Sequence, residues 1–160
     1  MKPTLRMLMI CLALSSGPAL AQKDCTDRPE CWPEGSAMHT GLTLAAERQK
    51  LERSMLKRHE QLVALVAASM PGSERLVMAL KSQQQAWLKY RDDECELIGA
   101  LTGAGGSWPS TYASRCALNL TDQRLRRIRS AYRCVEQARN KQEEHDAGRC
   151  LQQLAPLVNH

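Results

Sequence analysis

The chain has 160 residues, with 22 basic against 17 acidic side chains, a formal charge of +5, 43% hydrophobic and 24% charged residues. That length suits one domain with a modest core, and that charge is too small to specify a nucleic-acid partner. No apolar run reaches the roughly 20 residues that a membrane-spanning helix needs.

Residues 1–21 carry Lys2 and Arg6 in a basic head, an apolar run from Met7 to Leu14, then Ser15, Ser16, Gly17 and Pro18 before Ala19-Leu20-Ala21. This is the pattern of a secretory signal peptide, with cleavage expected after Ala21, and it predicts a soluble periplasmic or secreted protein. No small residues stand immediately before Cys11 or Cys25 as a lipoprotein signal would require. The signal takes two of the basic residues and none of the acidic ones, leaving a single mature domain, 22–160, with net charge +3. It also takes Cys11, so the mature chain keeps Cys25, Cys31, Cys95, Cys116, Cys134 and Cys150. An even number in an exported chain predicts three disulfides. A metal site is not expected, because no Cys-x-x-Cys occurs and His39, His59, His145 and His160 never pair at ligand spacing.

Gln22 to Gly41, rich in Pro, Gly, Asp and Thr, is expected to be an irregular arm that Cys25 and Cys31 cross-link locally. From Leu42 to about Met70 the residues Leu44, Leu51, Met55, Leu62, Val66 and Met70 recur at helical spacing, and Pro71-Gly72 ends that helix. Ser73-Glu74 suits the start of a second helix, whose buried face is predicted through Leu76, Leu80, Trp87, Cys95, Ile98 and Leu101. Gly103, Gly105 and Gly106 break it. A third helix begins between Ser107 and Thr111, where Pro109 is tolerated in the first turn, and buries Ala117, Leu120, Ile128, Ala131 and Val135. Its end is ambiguous, since 137–147 stays compatible with helix up to Gly148, and Leu151, Leu154 and Leu157 suggest a short closing segment. No stretch alternates as a strand does. The fold predicted is all-α, a small antiparallel bundle of about three main helices cross-linked by disulfides.

Cys95 and Cys116 lie nearly symmetrically about the glycine hinge, so antiparallel helices bring them face to face. Closing such a loop stabilises by about 3 kcal/mol in the chain-entropy model. Proximity in sequence would join Cys25 to Cys31 and Cys134 to Cys150. The latter bond demands a break in helix three, because an unbroken helix holds those residues about 24 Å apart.

Arg91 falls on the helix-two stripe with Trp87, and Arg124 on the helix-three stripe. A buried guanidinium needs a partner; Asp92, Asp93, Glu94, Asp122 and Glu52 are candidates, and Trp87 is placed to stack on Arg91. These residues make either a polar network that fixes helix register or a ligand site. His59, on an apolar stripe, reads as a hydrogen-bonded core residue. Arg115, Arg124, Arg126, Arg127, Arg129 and Arg133 crowd helix three against Asp122 alone. They form either a solvated surface or a face for anionic lipid, lipopolysaccharide or an acidic cleft. The Gly103–Ser107 run lacks the preceding strand and following Lys-Ser or Lys-Thr of a phosphate cradle. No nucleophile motif is found and no thiol is left over, so the chain is not read as an enzyme and no cofactor is expected.

The block Gln85-x-Trp87-Leu88-x-Tyr90-Arg91-Asp92-x-x-Cys95, then Gly105-Gly106-Ser107, Cys116 and Thr121-x-x-Arg124-Leu125, resembles the domain of LprI-type lysozyme inhibitors. The resemblance implies that the protein binds a lysozyme, blocks it, and so protects peptidoglycan in a bacterial envelope. An inhibitor of such an enzyme must fill a cleft that holds two carboxylates. The hairpin tip is the natural candidate, with Ser107, Trp108, Ser110 and Thr111 flanked by Tyr112 and Arg115. The competing expectation is a non-inhibitory envelope module that uses the arginine face on anionic lipid or glycan.

Overall fold

The computed structural model describes residues 25–141 and 144–155. The signal-peptide segment, Leu157 and His160 lie outside them. Among the described residues there is no strand, and no helix is long and apolar enough to cross a membrane.

Cys25 is bonded to Cys31 across a 3-10 turn, Pro29–Cys31, with Cα atoms 5.6 Å apart. Helix α1 spans Ala37–Ser69. It thus starts five residues before the predicted Leu42, taking its first turn and a half from the expected arm. The Ser36 side chain caps it by accepting from the His39 amide at 3.2 Å. Gly41 lies in this stretch because a Cβ there would come within 2.9 Å of Thr111 Oγ1. The start of α1 is therefore held against the hairpin by tertiary contact, which overrides weak local helix preference.

Helix α2 spans Glu74–Leu101 and follows a turn with Gly72 at φ 74°. Helix α3 spans Trp108–Lys141 and α4 spans Glu144–Leu151, closed by a 3-10 turn, Gln152–Leu154. Helix α4 packs back on α3, and Cys134 and Cys150 are bonded with Cα atoms 5.5 Å apart. Cys95 and Cys116 are bonded likewise, with Cα atoms 5.4 Å apart.

Helix α3 is the spine. Helices α1, α2 and α4 all pack chiefly on it, and α1 and α2 touch each other little. Contacts that advance together along α1 and α3, from Ala37 with Thr111 to Arg58 with Tyr132, make those helices parallel, with α2 antiparallel to both. The core joins Met55, Leu62 and Val66 of α1 to Leu80 of α2, then to Leu125, Ile128, Ala131 and Val135 of α3. Ala147, Cys150, Leu151 and Leu154 close one end. Burying each large aliphatic side chain contributes about 1.5–3 kcal/mol.

The predicted face of α2 needs correction near its end. Leu80 and Cys95 are buried, but Ile98 is 40% and Leu101 72% exposed. Their place over the partner helix is taken by Gly99, where a Cβ would stand 2.5 Å from the Pro109 carbonyl oxygen. So close a backbone approach tips the flanking apolar side chains outward.

Candidate functional site

Arg91 is buried in the middle of the hairpin. Its Nη1 donates to Glu52 Oε2 of α1 at 2.8 Å and to Thr121 Oγ1 of α3 at 3.1 Å. Its Nε and Nη2 reach Asp92 Oδ1 at 2.9 and 2.8 Å. One guanidinium therefore ties α2 to both other long helices. Of the other candidate counter-ions, Asp93 pairs with Lys89 and Asp122 with Arg126.

Arg124 departs from expectation: no carboxylate meets it among the described residues. Its Nε donates to Gln84 Oε1 at 3.0 Å, its Nη1 to the Leu154 carbonyl at 2.7 Å and its Nη2 to Gln83 Oε1. All three acceptors are neutral. The Trp87 ring supplies a partly negative face to both cations, with Arg91 5.7 Å and Arg124 5.4 Å from its centroid. Burial, and then the charge of Arg127, lower the Arg124 pKa below the usual arginine range to about 10. Gln84 shares the helix-two stripe with Trp87 and Arg91, and Leu154 the predicted closing segment, but the sequence did not mark either, or Gln83, as an acceptor for Arg124.

A cleft of about 630 Å³ opens beside this network, with Gln83, Trp87, Tyr90, Leu120, Arg124 and Arg127 in its lining. His59 of α1 feels the charge of Arg124. It is buried, and its Nε2 has no hydrogen-bond partner among the described residues, so it is less fully bonded than expected. Burial lowers its pKa from 6.5, and the Arg124 charge acts the same way, against the raising effects of a backbone hydrogen bond at Leu80 and of Glu60.

At the tip, Trp108 and Tyr112 are 40% and 41% exposed, with ring centroids 6.2 Å apart. Ser110 and Arg115 are exposed, and Ser107 is half-buried. The Ser107 carbonyl accepts from Ser110 Oγ at 2.8 Å and from Thr111 Oγ1 at 3.0 Å. Thr111 must be set apart from the others, because it is buried and its hydroxyl bonds the Ala37 carbonyl at 2.7 Å. It anchors the tip to α1 rather than facing outward. Leu97, Ile98 and Leu101, which the sequence assigned to the core or passed over, join the exposed surface. A groove of about 430 Å³ runs beside the tip, lined by Asp92, Glu96, Gly99, Pro109 and Ser110 among others.

Charge is divided along the hairpin. Residues 89–122 hold Asp92, Asp93, Glu94, Glu96 and Asp122 against Lys89, Arg91 and Arg115. Residues 123–141 hold seven cations against Glu136 alone. On the basic portion Arg126, Arg129 and Arg133 are exposed, whereas Arg124 leaves the predicted arginine face for the interior.

Comparison with known proteins gives three findings. A protein of Rhizobium meliloti (strain 1021), itself uncharacterized, is 28% identical over 145 residues, covering 84% of this chain and 96% of that one. No solved structure matches. The family described as lysozyme inhibitor LprI matches residues 31–128, which takes in the tip, the Arg91 network and Arg124. This match covers more than half of the sequence, and the chain belongs to the LprI lysozyme inhibitor family.

Proposed function

We propose that the protein, exported and freed of residues 1–21, folds as one domain over 22–160 and blocks a lysozyme with the α2–α3 tip. The observation that carries this reading is the cluster of exposed Leu97, Ile98, Leu101, Trp108 and Tyr112 around a loop clamped by the Cys95–Cys116 bond. Exposed apolar side chains gathered in one place mark an interaction surface. A tip fixed by a disulfide and by Thr111 loses little conformational freedom on entering a cleft. The exposed Arg115 is placed to meet one of the two carboxylates that a glycosidase cleft holds. The acidic excess of residues 89–122 would complement a basic enzyme surface, although the whole mature chain is positive. Peptidoglycan is then protected by occupation of the enzyme's cleft, with no chemistry performed by the inhibitor.

A lysis assay with goose-type, chicken-type and invertebrate-type lysozymes tests the proposal. Trp108→Ala is expected to weaken inhibition by about 2 kcal/mol or more, as for a buried interface anchor, with the fold intact. If that variant inhibited normally while Arg126→Glu, Arg129→Glu and Arg133→Glu together abolished binding, the exposed arginines of α3 would be the working surface. The protein would then be an envelope-binding module directed at anionic lipid or glycan.

A further inference from the structure

We propose that the cleft between α2 and α3 beside Trp87 is a binding site for a small monocarboxylate with an apolar or aromatic body, independent of the lysozyme-blocking tip. The cleft, about 630 Å³, has the size of a small-molecule site. Trp87, Leu120 and Leu154 give it apolar walls, and Tyr90 lies at its lip, 55% exposed. Arg124, 2% exposed, forms its floor. Half-buried Arg127 stands at its side with no ion-pair partner among the described residues.

The charges point to the ligand class. A buried cation normally sits beside an anion, as Arg91 does beside Glu52. Arg124 donates only to amide and carbonyl oxygens, and the charge that acts on it is that of a second cation, Arg127. Two guanidinium groups thus share one cleft without a counter-ion among the described residues. Three of the five N–H groups of Arg124 are engaged, leaving donors for an added oxygen. A carboxylate placed between Arg124 and Arg127 would be met by charge-assisted hydrogen bonds, and the rest of the molecule would lie along Trp87 and Leu120. A bare inorganic anion would leave those walls uncovered.

The test is a titration of the full mature chain with phenylacetate, followed by NMR at the indole N–H signals of Trp32, Trp87 and Trp108. Saturable movement of the Trp87 signal is expected, with Trp32 and Trp108 as fixed references. Phenylacetamide, neutral and of the same shape, should bind about tenfold more weakly, and inorganic phosphate more weakly than phenylacetate. Arg124→Gln disturbs the helix network and could unfold the chain. Arg127→Gln breaks no hydrogen bond or ion pair among the described residues and should weaken phenylacetate about tenfold without lowering the denaturation midpoint. The proposal is overturned if the Trp87 signal does not respond, if the amide or phosphate binds as well as phenylacetate, or if Arg127→Gln binds normally. Lysozyme inhibition is measured in parallel, and its presence or absence has no bearing on these outcomes.

Discussion

Replacing Arg91 with alanine removes the side chain that joins the three long helices, and the cost can be built from its surroundings. The bond to Glu52, whose side chain is 26% exposed, is charge-assisted and partly shielded, worth about 1.5–3 kcal/mol. Asp92, 60% exposed, is rehydrated when released and adds at most about 1 kcal/mol. Thr121 keeps its bond to the Ala117 carbonyl at 2.7 Å, so its hydroxyl is not stranded. Removing the buried stem leaves a void beside Trp87, adding about 1 kcal/mol after relaxation. The total is about 2.5–5 kcal/mol, a large share of the about 5–15 kcal/mol that holds a domain folded. Urea denaturation of both proteins, followed by far-UV circular dichroism, measures it. Glu52→Gln should cost less alone, and the double variant should cost less than the sum, because the pair is coupled. A change within about 0.5 kcal/mol for Arg91→Ala would refute the role of this residue as the central tie.

Three further outcomes are expected. His59 has its pKa lowered in the folded state, so as pH falls below 6.5 the unfolded chain takes up a proton that the folded chain resists, and stability declines until the folded pKa is reached. The slope approaches about 1.4 kcal/mol per pH unit; His59→Gln should remove this component from denaturation curves taken across that range, and an unchanged slope would exclude His59 as its source. Gly99→Ala should cost about 1–3 kcal/mol, since the new methyl meets the Pro109 backbone rather than a movable side chain; a thermal midpoint equal to the parent's would show that the helices can part freely. Replacing Cys95 and Cys116 together with alanine should cost about 3 kcal/mol, given their separation of 21 residues, and should weaken inhibition in the lysis assay. Inhibition at full strength from that variant would mean that tip rigidity contributes nothing.

Much of the fold was legible because its punctuation is local. Pro71-Gly72 and the glycines from 103 to 106 mark the two bends, and those bends fix which cysteines can meet across α2 and α3. That the chain turns back between Cys134 and Cys150 could be inferred only by supposing that these two are bonded. What escaped the sequence depends on distant residues. The beginning of α1 looked irregular because Thr40 and Gly41 are poor helix formers, and it is helical because Thr111 packs there. Periodicity placed Ile98 and Leu101 in the core, since a stripe shows which side chains share a face but not where the partner helix stops covering it. Both carboxylates that meet Arg91, Glu52 and Asp92, were among the five named candidates. The acceptors of Arg124 were not foreseen, because a backbone carbonyl 30 residues away carries no mark in a sequence.

Both α1 and α2 lean on α3 and scarcely on one another, so the turn that joins them, Met70–Ser73, bears little of the load of the fold. Gly72 has open space around it, with nothing within 4 Å of a built Cβ. Helix α2 separates this turn from the proposed inhibitory tip by about 40 Å at 1.5 Å per residue. A fluorophore, an affinity handle or a whole inserted domain spliced in at Pro71-Gly72 would therefore sit remote from the tip. The protein could be immobilised or visualised through that splice with its business end left facing outward.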